Sequence, residues 1–84
     1  PDTDAGLYAR YRQAATYMAL GVPKNALEAY QQVISKGGDD HFVQMAKLGL
    51  AEAQAQTGAY DDAINTFRDL SQRKDGPLPV DGLL

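Results

Sequence analysis

Few side chains in this sequence could do chemistry. His41 is the single histidine, and it directly follows Asp39-Asp40. Imidazole and carboxylate both bind metals, but adjacent residues rarely converge on one ion, and aspartates ahead of an apolar run serve as a helix N-cap. Asp61-Asp62 is a second carboxylate pair. Neighbours on a helix point about 100° apart, so these two do not face one bond as acid and base. Cysteine is absent, and Ser35 and Ser71 stand near expected helix ends with no histidine beside them to activate a hydroxyl. Gly37-Gly38 lacks the following Lys-Ser/Thr of a phosphate loop. These residues predict no catalytic site, no cofactor and no metal site, so the chain is expected not to be an enzyme.

The spacing of small and aromatic residues carries more information. Gly58-Ala59-Tyr60-Asp61-Asp62-Ala63-Ile64-Asn65-Thr66-Phe67 reads as a turn followed by the first half of a helix. A weaker copy, Gly21-Val22-Pro23-Lys24-Asn25-Ala26-Leu27-Glu28-Ala29-Tyr30, lies 37 residues upstream. Gly21 matches Gly58, Ala26 matches Ala63, Leu27 matches Ile64 and Tyr30 matches Phe67. Further back, Ala14 matches Ala51 and Ala9 matches Ala46. A repeat of this period points to a helical solenoid.

Four helices position these residues. The first, about 4–20, follows the cap-forming cluster Asp2-Thr3-Asp4 and carries Leu7, Tyr8, Tyr11, Ala14, Ala15 and Met18 at helical spacing. Gly21 supplies positive φ past its end, and Pro23 suits the first turn of a second helix, about 23–35. Ala26, Leu27, Tyr30, Val33 and Ile34 form the apolar stripe of that helix. Asp39-Asp40 cap a third helix, about 40–57, with Phe42, Met45, Leu48, Ala51 and Ala55. Gly49 interrupts it at a cost of about 1 kcal/mol relative to Ala. It is read as a surface position, the alternative being the close approach of a neighbouring helix. A fourth helix, about 60–73, carries Ala63, Ile64, Phe67 and Leu70, before Asp75-Gly76-Pro77-Leu78-Pro79 breaks helical order. No strand pattern occurs, so the predicted fold is all-α.

The 84 residues are at most one small domain, and 44% apolar residues are enough for a packed core. The net charge of −3, with basic residues scattered, argues against nucleic acid as the partner. No apolar run reaches the roughly 18–20 residues of a membrane span, so direct membrane insertion is not expected. The chain opens at Pro1-Asp2 and is read as an excised piece of a longer protein.

The paired copies resemble the tetratricopeptide repeat over roughly residues 7–73. The second copy carries Leu50-Ala51 and then nearly all of the family's Gly-x-aromatic-acidic-acidic-Ala-aliphatic-x-x-aromatic stretch. The first carries Ala14, Tyr17, Gly21, Ala26, Leu27 and Tyr30. Three features depart from the pattern. Pro23 replaces an aromatic, Gln54 takes a large apolar position, and Gly37-Gly38-Asp39 lengthen the period. The resemblance implies a right-handed superhelical stack of two antiparallel helix hairpins. Repeat 1 would span about 7–38 and repeat 2 about 40–74, with 75–84 a linker and the start of a truncated third repeat. Small residues at Ala14, Ala26, Ala51 and Ala63 would let helices approach closely, with Tyr30 and Phe67 filling the space between them.

The resemblance also implies a function. In this family the first helices line a groove that receives a peptide or helix of a partner protein. By register, Tyr8, Tyr11 and Met18 from the first helix and Met45, Glu52 and Gln56 from the third are the expected partner-binding residues, with Ala15, Ala19, Leu48 and Ala55 between them. This surface is aromatic, contains methionine and suits an apolar peptide or amphipathic helix. It lacks the Lys, Arg and Asn set of the groove type that grips a C-terminal carboxylate. The alternative is a structural spacer, in which the Tyr/Met stripe is core; Tyr17 is the better core candidate, and Tyr8 and Tyr11 the better exposed ones. The outward faces around Phe42, Ile64 and Leu70 would normally lie under a following helix. Left bare, they would favour a homo-oligomer or recruit residues 80–84. Ala/Gln-rich helical repeats also resemble soluble portions of bacterial envelope proteins, which implies a bacterial cell-envelope location, otherwise a cytoplasmic one.

Overall fold

The structure is a computed structural model that describes residues 4–37 and 40–72. It contains α1 (Asp4–Ala19), α2 (Pro23–Lys36), α3 (Asp40–Gln56) and α4 (Tyr60–Ser71), with no strand among the described residues. Each helix ends within two residues of its expected limit. α1 packs on α2, α2 on α3 and α3 on α4, while α1 also touches α3. Three-residue turns join α1 to α2 and α3 to α4, so each pair is an antiparallel hairpin. The fold is therefore an all-α stack of two hairpins. The cap roles expected of Asp2-Thr3 and Asp39, and the linker at 75–84, lie outside the described residues.

The two turns close their first helices alike. Gly21 and Gly58 adopt φ of 78° and 89°, the left-handed region open to glycine. The Gly21 N–H donates to Met18 O at 3.1 Å and the Val22 N–H to Tyr17 O at 3.0 Å. At the 37-residue offset, Gly58 donates to Ala55 O at 3.1 Å and Ala59 to Gln54 O at 2.9 Å. Both are Schellman closures, which satisfy carbonyls that a helix end leaves unpaired. Pro23 then opens α2, where a missing N–H costs nothing.

Small side chains dominate the interior. Ala14, Ala26, Ala29, Ala46, Ala51, Ala53 and Ala63 are all buried, and the two largest fully buried side chains are Val33 and Leu70. Val33 and Leu70 are themselves repeat equivalents, so the period written in the sequence is also the period of the core. Alanines bring the backbones together but remove little apolar area from water. Tyr30, 4% exposed, supplies much more. A ring burying roughly 150–250 Å² contributes on the order of several kcal/mol before entropy is subtracted.

Three expectations change. Gly49 is not a surface position: it is buried, and a Cβ added there would lie 2.3 Å from Tyr30 Cζ. The missing side chain admits the Tyr30 ring from α2. Leu70 is core rather than outward-facing, because α4 turns it inward with Ala63. Phe42 is half-buried, since rings from α1 already pack on it. Ile64 is the one residue of that outward set left bare, at 52% exposed.

Candidate functional site

The side chains with chemical potential lie apart. His41, Asp61 and Asp62 are exposed. The Ser35 hydroxyl donates to Gln32 O at 3.1 Å and that of Ser71 to Arg68 O at 2.9 Å, each tied to its own helix. Among the described residues, no group of three or more His, Cys, Asp or Glu could hold a metal ion.

The aromatic side chains, by contrast, converge. Phe42 on α3 meets Tyr11 of α1 with ring centroids 5.2 Å apart and Tyr8 at 6.0 Å. Tyr11 in turn meets Tyr30 edge-on at 5.7 Å. Tilted and edge contacts at these separations suit the ring quadrupoles. The Arg12 guanidinium stands 5.9 Å from the Tyr8 ring centroid, within cation–π range. The result is a ladder of four rings running from buried Tyr30 outward to Tyr8, which is 51% exposed.

The six expected residues divide between this ladder and its surroundings. Tyr8 is exposed and Tyr11 half-buried, and Phe42 joins them. Met18 is half-buried against the core cluster. Met45 is 36% exposed, and Glu52 is exposed further along α3. Burial pushes the Tyr30 phenol above its ordinary 10.0, and Tyr11 and Glu52 push it the same way. Gln56 lines a cleft of about 470 Å³ with Gly21, Val22, Pro23, Lys24, Asn25 and Thr57, at the turn end of the hairpins. Sequence reasoning missed Phe42 as the centre of the ring cluster. The available signal was its position beside Tyr8 and Tyr11 once the helices are stacked at the 37-residue offset.

A second, polar cleft of about 230 Å³ opens between α1 and α2, lined by Arg10, Gln13, Tyr17, Asn25, Glu28, Ala29 and Gln32. The Arg10 guanidinium donates to Gln32 Oε1. The equivalent pair in the second hairpin is an ion pair, Lys47 to Asp69 at 3.5 Å. Both pairs clasp the first helix of a hairpin to its second.

Two stacked hairpins with matching turns, matching clasps and an alanine core define a helical repeat module of the protein-interaction type. The chain belongs to the tetratricopeptide repeat-like domain family, whose model matches residues 1–75. Members of this family are generally not enzymes. No curated protein and no solved structure matches the chain. No helix among the described residues is long and apolar enough to cross a membrane.

Proposed function

We propose that this domain holds a peptide or helix of a partner protein on the surface shared by α1 and α3. One observation carries the reading: Tyr8, the outer ring of the cluster that joins α1 to α3, remains 51% exposed, and Met45, three residues after Phe42 on α3, remains 36% exposed. Large amphipathic rings held rigid by neighbours are favourable contact residues, since little side-chain entropy is lost when a ligand covers them. The surface is apolar at Tyr8, Tyr11 and Met45 and carries Arg12 beside the Tyr8 ring and Glu52 along α3, which suits the apolar stripe of an amphipathic helix on the partner. Glu52 and Gln56 extend this surface along α3, and Met18 lends it an adaptable edge.

The spacer reading has support of its own, because Tyr11 and Met18 pack against the core cluster. The experiment is affinity capture with the protein as it occurs in its source, set beside a Tyr8→Ala/Met45→Ala double variant. Both residues are exposed enough that truncation spares the fold. Loss of partners from the double variant is the expected result. An unchanged set of partners rejects the α1–α3 surface and leaves the spacer reading standing.

A further inference from the structure

The α1–α3 surface is not uniform along its length. Where the two helices begin it is apolar, with Tyr8 packed outside Phe42 and Met45 following on α3. Further along it becomes polar. Gly49 and Glu52 share the helical face of Met45, the glycine one turn on and the carboxylate two. Tyr30 reaches that face from α2, its hydroxyl oxygen 2.7 Å from the point a Gly49 Cβ would occupy. Tyr11 of α1 packs edge-on against the same ring at 5.7 Å. Phenol and carboxylate thus stand on adjacent turns of one groove. The Tyr30 phenol is held above its ordinary 10.0 by burial first, then by Tyr11 and Glu52, as groups that gather negative charge around it must do.

Glu52 has nothing to balance it. Lys47 is taken by Asp69 at 3.5 Å and Arg10 by Gln32. Glu52 itself makes neither an ion pair nor a hydrogen bond among the described residues. From α1, the rings of Tyr8 and Tyr11 lie level with Phe42, so the stretch level with Glu52 is the Ala15, Met18 and Ala19 end, which carries no charge. An apolar side chain seated there would strip water from the carboxylate without pairing it, and an acid would be repelled. An ammonium or guanidinium pairs with Glu52 and donates to the Tyr30 oxygen, with aromatic rings beside it.

We propose that the segment held on the α1–α3 surface is an amphipathic helix of a partner protein, with a large apolar side chain against Tyr8 and Met45 and a lysine or arginine two turns away against Glu52. Two turns are seven residues, a rise of about 10 Å, which matches the spacing of Met45 and Glu52 on α3. The proposal rests on the reading of this surface as the binding face and adds which partner it selects.

The test uses the intact protein and a displayed library of helical peptides, about four turns long, randomised along one face. Peptides that bind the native protein and not the Tyr8→Ala/Met45→Ala variant report on this surface. They are expected to carry Lys or Arg seven residues from a Leu, Ile, Met or Phe. Selection on the Glu52→Lys variant is expected to place Asp or Glu at that position instead. For one such Lys peptide, Glu52→Gln is expected to weaken binding about threefold to fivefold, and by less as salt rises. Glu52 is exposed, so both variants keep the fold. Surface-dependent peptides without a base at that spacing, or the same peptides enriched by Glu52→Lys, overturn the proposal and leave the binding face standing. Finding no peptide that depends on Tyr8 and Met45 overturns both, the result expected if the protein's own chain fills the surface.

Discussion

Gly49 and Tyr30 form a matched pair: one omits the side chain whose space the other's ring occupies. Ordinarily Gly→Ala inside a helix gains about 1 kcal/mol. At Gly49 the new Cβ meets three ring atoms of Tyr30 at 2.3–2.7 Å, and overpacking costs about 1–3 kcal/mol. Gly49→Ala should therefore lower stability by about 1 kcal/mol, measured by urea unfolding, and the sign should reverse in a Tyr30→Leu background. Gln44 is the opposite case. It is 4% exposed, and neither amide atom finds a partner among the described residues. Its repeat equivalent is buried Leu7, so Gln44→Leu should raise stability by about 1–3 kcal/mol. Tyr30 has a pH signature as well. Its raised pKa means that the fold favours the neutral phenol, so the contribution is complete below the ordinary value of 10.0 and is lost as pH rises through the folded value. Tyr30→Phe should flatten that alkaline loss when urea midpoints are compared on either side of about pH 10.

Helices are where the repeat is kept and where it drifts. Helix limits, turn glycines and the alanines at the crossings were readable from the sequence, because each is dictated locally by spacing, positive φ or side-chain size. Gly49 and Phe42 were misread because their partners lie on other helices, and spacing within one helix does not show which ring comes across. Gln54 shows the same limit. In the first hairpin the equivalent position holds Tyr17, packed on the cluster that contains Ala29. In the second, Thr66 replaces that alanine, and its hydroxyl lies within hydrogen-bond distance of Gln54 Oε1 at 2.8 Å and of its own helix carbonyl, Asp62 O, at 2.9 Å. A large ring over a small residue has become a hydrogen-bonded pair, so the apparent departure from the family pattern is a paired change. Gln54→Tyr and Thr66→Ala should each destabilise alone. Together they should recover part of the loss, with a coupling of about 0.5–3 kcal/mol in a double-mutant cycle.

At the scale of the molecule, the two ends of the stack differ. α1 turns exposed Ala9, Arg12, Gln13 and Thr16 outward, whereas α4 turns out Tyr60 and Ile64. Between the ends, the ring ladder ties α1 to α3 and leaves Tyr8 and Met45 at the surface. Position-specific photocrosslinking reads this arrangement directly, with a benzophenone amino acid placed in turn at Tyr8, Met45 and Gln31, the last being exposed on α2. Adducts with one partner protein from Tyr8 and Met45, and none from Gln31, are the predicted result. Adducts from Gln31 with neither Tyr8 nor Met45 reacting would contradict partner binding on the α1–α3 surface.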